Sequence, residues 1–308
     1  MNQLESMSIL VAVAEAGSLT AAARRLEIPL ATVSRKVGEL ESHLNTRLLN
    51  RTTRRLSLTE AGSSYVAACQ RILEEVGEAD RAATGEYASP RGELSVTASV
   101  VFGRSHVVPV IAEFLAHYPE ININLMLTDR VVHLMDEHID VAVRIGEQPD
   151  SALMATGVGT VRRVVCASPA YLKRRGMPVT PRDLAKHECI AFEVLASSRA
   201  WIFGAGKSEL SVPVRSRLTV NTAEAAIEAA ILGVGIIRVL SYQVEDAIRS
   251  KALRIILEAF ETAPLPIRLV QTGQAPVPLK LRAFLDFVTP RLRARMSQRP
   301  ADSVATGK

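Results

Sequence analysis

The sequence predicts an α/β protein with a helical head, and three observations carry that expectation. Short helix-period segments fill the first 60 residues, one long helix follows, and from about residue 91 strand-like and helix-like segments alternate to the end. At 308 residues the chain exceeds what one hydrophobic core usually serves, so two domains are expected. Hydrophobic residues at 48% and charged residues at 22% mark a globular chain rather than a disordered one.

Leu4, Met7, Leu10, Val11 and Ala14 recur at helical spacing and predict a first helix with one buried stripe, ended by Gly17. Ser18 is a natural N-cap for a second helix over residues 19–26, whose Ala21, Ala22 and Ala23 allow close packing. Pro29 punctuates next. Beyond it Val33, Val37, Leu40 and Leu44 form the buried stripe of a third helix, with Thr32, Ser34, Arg35, Lys36 and Glu39 expected outward. Hydroxyls and cations on the free face of a third helix suit a helix-turn-helix, because they can bond base edges and phosphates in the major groove. Residues 48–51 and 56–58 then alternate around the polar Thr52, Thr53, Arg54 and Arg55, which predicts a hairpin, a wing whose cationic tip suits a narrow minor groove. The same patterns also fit an ordinary small bundle with a surface hairpin.

Thr59 caps a long helix along which Tyr65, Val66, Cys69, Ile72, Leu73, Val76 and Ala79 make a near-heptad seam. Such a seam needs a partner, either a second copy or the rest of the same chain. Residues 85–92 (GEYASPRG) read as a linker. After it, strands are expected at 94–97, 121–127, 139–144, 161–166, 189–194, 218–220, 235–239 and 266–272, with helices at 107–117, 222–232 and 279–293. That alternation predicts mostly parallel sheets with helices on both faces, and the length suits two lobes.

The net charge of +5 favours an anionic partner. Arg47, Arg51, Arg54 and Arg55 crowd one stretch, while Arg291, Arg293, Arg295 and Arg299 read as a solvated tail. Three scattered cysteines make neither a disulfide framework nor a zinc cluster, no cationic leader opens the chain and no apolar run is long enough to span a bilayer, so a cytoplasmic protein is expected. His133, Asp136, His138 and Asp140 raise the question of a metal, but their spacing spreads them over a turn entering a strand. No nucleophile elbow, phosphate loop or HExxH spacing occurs, so neither enzyme chemistry nor a metal or other cofactor is expected. A free-standing solute-binding protein fits the α/β region but not the basic head.

The runs GSLTAAARRL (17–26), TVSRKVGELE (32–41) and RLLNRTTRRLSLTEAG (47–62) closely resemble the head of the LysR-type transcriptional regulators. Further likeness lies in FLAHYPEI (114–121), DVAVRIG (140–146), CASPAYL (166–172) and VNTAEA (220–225), so it covers nearly the whole chain, and within the family it points to the CrgA-like branch. Where many members carry Ser and Gln ahead of the third helix, this chain has Pro29 and Leu30.

The resemblance implies a winged helix-turn-helix DNA reader over residues 1–59, a dimerising linker helix and hinge over 60–90, and an effector-binding domain shaped like a periplasmic binding protein over 91–296. Its lobes would be about 91–146 with 267–296, and about 147–266, leaving 297–308 as a tail. It assigns operator contacts to Leu30, Ala31, Thr32, Ser34, Arg35 and Lys36 on the third helix and to Arg51 and Arg54 on the wing. Ser99, Val100, Phe102, Gly103, Asn221 and Thr222 fall on the cleft-lining segments. Helix starts there suit an anion, so a small organic or aromatic acid is the expected effector. The same hydroxyls also read as plain helix caps. A homodimer, and by family habit a homotetramer, is implied.

Overall fold

The computed structural model describes residues 2–51, 56–84, 89–146, 153–192, 200–204, 206, 209–273 and 277–297, without the side chains of Arg51, Glu75, Glu78, Ala79 and 81–84. The chain divides into two compact units, Met1–Ser89 and Pro90–Lys308.

The first unit holds α1 (Gln3–Ala16), α2 (Leu19–Arg25), α3 (Leu30–Leu44), a hairpin of β1 (Leu49–Arg51) and β2 (Leu56–Leu58), and the 25-residue α4 (Glu60–Thr84). Asn2 and Ser18 cap the first two helices through their side-chain oxygens, and Gly17 ends α1 in the left-handed region that glycine enters without a Cβ clash. Leu10, Val13, Ala22, Ala23, Val33, Val37, Leu40, Leu48 and Val66 make one core. The stripe expected on α1 is only part of what is buried: Met7 and Leu10 are, and Val11 and Ala14 pack partly buried against the core. Leu4 is exposed, whereas Met7, Ile9, Leu10, Ala12 and Val13 are buried, because α1 packs against α2, α3 and α4 at once and is covered on several sides.

The second unit is built on two five-stranded sheets. Its first part runs β3 (Gly92–Ala98), α5 (Val100–Phe102), a π-helical turn (Gly103–Val107), α6 (Val108–His117), β4 (Ile121–Leu127), β5 (Val141–Ile145) and β6 (Leu153–Val161). The second sheet's part follows as β7 (Arg163–Ala167), α7 (Pro169–Arg175), β8 (Cys189–Phe192), the hairpin β9 (Ala200–Phe203) and β10 (Leu210–Pro213), β11 (Ser216–Val220), α8 (Ala223–Ile231), β12 (Ile236–Leu240), α9 (Glu245–Arg249) and β13 (Arg254–Ile256). The chain then returns through β14 (Leu265–Thr272) and closes with α10 (Leu279–Ser297).

The sheet orders are β4-β3-β5-β14-β6 and β11-β8-β12-β7-β13. Both are mixed rather than mostly parallel: β14 runs antiparallel to β5 and β6, and β7 antiparallel to β12 and β13. Strand β6, expected in the second lobe, belongs to the first sheet, where it pairs with β14 along its whole length. The backbone therefore crosses between sheets twice, at Arg162 and between β13 and β14. The crossings lie side by side, with Arg162 Nε 3.7 Å from the Glu261 carboxylate.

The C-terminal basic run is no loose tail where it is described. Arg291 lies over the Phe287 ring and pairs with Glu113, and Arg293 donates to the Gly157 carbonyl. Arg295 donates to the Ser105 carbonyl at 3.3 Å. Pro109, four residues beyond Ser105 and without an N–H, leaves that carbonyl for another donor, and α10 supplies it. Arg299 lies outside the described residues.

Candidate nucleic-acid interface and effector cleft

Helix α3 starts at Pro29, which stands at the N-cap; its carbonyl accepts the N–H groups of Thr32 and Val33 and no side-chain cap is made. With Val33, Val37 and Leu40 fully buried, the first turns present Leu30, 46% exposed, Ala31 and Arg35 to solvent, with Thr32 and Ser34 half-buried beside them. Arg35 pairs with Glu39 at 2.6 Å along the helix, which holds its guanidinium over the outer face. Lys36 differs from expectation. Its side chain is only 12% exposed and its ammonium meets the Glu5 carboxylate of α1, so it ties two helices of the head together. The sequence separation of 31 residues hid that pair.

The wing is anchored from beneath. The Glu41 carboxylate accepts the N–H groups of Leu48 and Leu49 at 2.8 and 3.0 Å. Thr59 caps α4 through the Gly62 N–H and also donates to the Arg47 carbonyl at 2.8 Å. Gly62 is obligatory there: a Cβ would lie 2.0 Å from the Leu48 carbonyl oxygen. In β1, Arg51 pairs with Leu56 of β2, so the hairpin exists, but the Arg51 side chain and all of Arg54 lie outside the described residues.

The seam on α4 splits in two. Val66 and Cys69 are buried within the head, whereas Ile72 and Val76 are 39% and 36% exposed. The same chain covers the first half, and the second half faces outward.

In the second unit, Ser99 and Val100 begin the helix after β3, and Asn221 and Thr222 begin α8. Thr222 caps α8 through the Ala225 N–H. Ser99 makes no such cap, and its hydroxyl oxygen is buried without a hydrogen-bond partner among the described residues. Phe102 and Gly103 are buried: Phe102 sits in the first-sheet core, and a Cβ on Gly103 would strike the Leu127 side chain at 2.2 Å. Neither offers appreciable surface to solvent.

Three residues missed in the sequence organise this region. Asp129 accepts the Val100 N–H at 3.1 Å, taking up one donor of that helix start. Burial, with a smaller contribution from Glu224, pushes the Asp129 carboxyl above the usual carboxylate range. Arg104 lies 4.0 Å from Glu224, linking the two helix starts. The signal for Asp129 was its position just past the C-terminal end of β4, where ligand-facing residues of α/β sheets gather. Asp140, weighed in the sequence as a metal ligand, accepts the Ser95 N–H at 2.7 Å, and no group of three or more potential metal-ligating acid, His or Cys side chains comes together among the described residues.

A helix-turn-helix with a hairpin behind its third helix, joined in one chain to a two-sheet α/β regulatory unit, defines a DNA-binding transcription regulator. Residues 4–63 match the bacterial regulatory helix-turn-helix proteins of the lysR family, and residues 88–293 match the LysR substrate binding domain. The chain belongs to the LysR family and carries that family's effector-binding domain. It is similar to an HTH-type transcriptional regulator of Xanthomonas campestris pv. campestris, 36% identical over 295 residues that cover 94% of this chain and 86% of the relative. The HTH-type transcriptional regulator CrgA of Neisseria meningitidis serogroup B is 32% identical over 289 residues, covering 94% and 96%. The solved structure of CrgA from Neisseria meningitidis superposes with a TM-score of 0.59 over 94% of this chain and 98% of that one. The full-length Vibrio cholerae virulence activator AphB, 28% identical, gives 0.58 over 92% and 98%.

Proposed function

We propose that this protein is a cytoplasmic, homo-oligomeric regulator, a dimer that pairs into a tetramer, which performs no catalysis and switches its operator affinity on binding a small organic or aromatic acid. Residues 1–59 read the operator, 60–90 dimerise and 91–296 sense the effector, with the second lobe beginning after β6. Leu30, Ala31, Thr32, Ser34 and Arg35 contact the major groove, Lys36 steadies that surface through Glu5, and Arg51 and Arg54 serve the wing. The observation that supports this reading best is the N-terminal half of α3, where a fully buried stripe backs an outer face of hydroxyls and one guanidinium.

The effector acid is assigned to the start of α8, where main-chain N–H groups and the Thr222 hydroxyl favour a carboxylate, with Asn221 beside it and Ser99 opposite. Val100, Phe102 and Gly103 form the wall of the first lobe. Asp129 supports a second reading, an effector that also carries an ammonium or hydroxyl donor, because its half-buried carboxyl faces a site that already holds Glu224.

Competition binding of the intact protein against genomic fragments and random duplex at moderate salt tests the DNA reading. Preference for some fragments is expected, and equal binding to all duplexes, with and without metabolites, would refute it. Thermal melts across a panel of small acids, amino acids and amines test the effector. A rise with acids alone supports the first reading, a rise confined to amino acids or amines supports the second, and no rise anywhere removes both.

A further inference from the structure

The outward stripe of α3 does not stop at Arg35. Ala31, Arg35, Gly38 and Ser42 follow one another at spacings of four, three and four, so they share one helix face, and Asn45 stands at its C-cap. At the far end of that face a groove of about 510 Å³ opens between α3 and the entry to the wing, with Gly38, Ser42, Asn45, Thr46 and Arg47 on its walls.

Two features of this groove lack a purpose inside the head. Gly38 sits mid-helix, where glycine is disfavoured relative to alanine, yet a Cβ there would meet no atom within 4 Å. Its backbone is not in the left-handed region either. Nothing in the fold requires glycine, in contrast to Gly62. Arg47 is exposed and its guanidinium has no ion pair or hydrogen bond among the described residues, only its carbonyl being used, by Thr59. Glu41, the carboxylate on the groove's wall, is turned to the Leu48 and Leu49 N–H groups.

We propose that this groove seats the sugar-phosphate backbone of one operator strand. Arg47 neutralises a phosphate, Ser42, Asn45 and Thr46 offer neutral hydrogen bonds, and the bare Gly38 lets the strand approach the main chain of α3. The surface is continuous with the base-reading face, and the Arg47 charge, unpaired among the described residues, is complementary to a phosphate. The inference rests on the reading of α3 as the helix that enters the major groove.

The test uses full-length protein with the variants Gly38→Ala, Gly38→Leu, Arg47→Gln and Arg35→Ala, titrated with a selected operator duplex and a random duplex of equal length over a salt series. Gly38→Ala and Gly38→Leu should melt no lower than wild type, since their side chains enter open space. Both should nevertheless bind the two duplexes more weakly, Gly38→Leu by roughly tenfold or more. Arg47→Gln should weaken both duplexes alike and flatten the slope of log affinity against log salt by about one. Arg35→Ala should instead reduce mainly the preference for the operator. If Gly38→Leu and Arg47→Gln bind as wild type does while Arg35→Ala loses preference, the groove has another use and the proposal is overturned, with the assignment of α3 intact. If Arg35→Ala also keeps full preference, the base-reading assignment fails and the groove's assignment fails with it.

Discussion

Phe102, from the first-sheet side of the regulatory unit, meets Tyr242, from the second-sheet side, edge to face, with ring centroids 5.4 Å apart at 81°. His106, in the π-helical turn, lies against both rings at 4.8 and 6.1 Å. Tyr242 is thus buried in a core otherwise built mostly from the other lobe. Tyr242→Ala should cost about 3 kcal/mol, read as a fall in the urea midpoint of the full-length protein. A loss well under about 1 kcal/mol would show that this ring contact does not hold the lobes together.

Gly62→Ala places a methyl against the Leu48 carbonyl, a main-chain atom that cannot step aside as a side chain can. Overpacking of that kind costs about 1–3 kcal/mol. The head of this variant should melt several degrees lower by circular dichroism, whereas Gly38→Ala should melt no lower than wild type. An unchanged melt would mean that α4 can shift away from β1 freely.

His187 is buried beside Tyr171, whose hydroxyl lies 3.3 Å from its Nδ1. Burial first, then the Arg175 charge, lowers its pKa, with Asp183 acting weakly the other way. Because the folded pKa lies below the unfolded value, the unfolded chain binds the proton more readily. Stability from this group is complete above about pH 6.5, falls as the pH drops toward the folded pKa, and levels off below it. Melting temperatures between about pH 7.5 and 5 should show the decline, and His187→Gln should flatten it. An equal slope in the variant would assign the decline to other groups.

Cys69, Cys166 and Cys189 are all buried. Burial raises all three thiols, Cys166 and Cys189 to about 12. A thiol reagent at neutral pH should therefore label none of them in the folded protein and all three after denaturation. Rapid labelling of Cys166 or Cys189 in the native chain would show that the regulatory unit opens on the timescale of the reaction, and rapid labelling of Cys69 would show that the head does.

The sequence was most legible where one element has one neighbour. Val33, Val37 and Leu40 are buried on α3 as their spacing implied, and the hairpin strands 49–51 and 56–58 pair in the expected place. Helix α1, enclosed on several sides, has no single stripe to find. Strand β6 escaped notice because Gly157, Gly159 and a largely exposed surface erase its alternation; Gly159 is glycine because Met296 of α10 packs where a Cβ would stand. Parallel and antiparallel pairing leave the same local pattern, so the mixed sheets could not be read from alternation. At the helix start after β3 the hydroxyl was visible but the acid beside it was not: Asp129 accepts the Val100 N–H across 29 residues. The pairing of Lys36 with Glu5 was hidden for the same reason, since a cation on a helix reads as solvated until the fold brings an acid to it.

The two crossings of the backbone between the sheets, side by side at Arg162 and Glu261, fasten one lobe to the other as a pair of pins fastens a door. Were the seat of Tyr242 in the first lobe's core to give, a lobe held at two adjacent points would swing about the line through them rather than slide away or spin. A molecule gripped at the opposite edge would therefore be felt as a change of angle, a single coordinate that the rest of an assembly could follow.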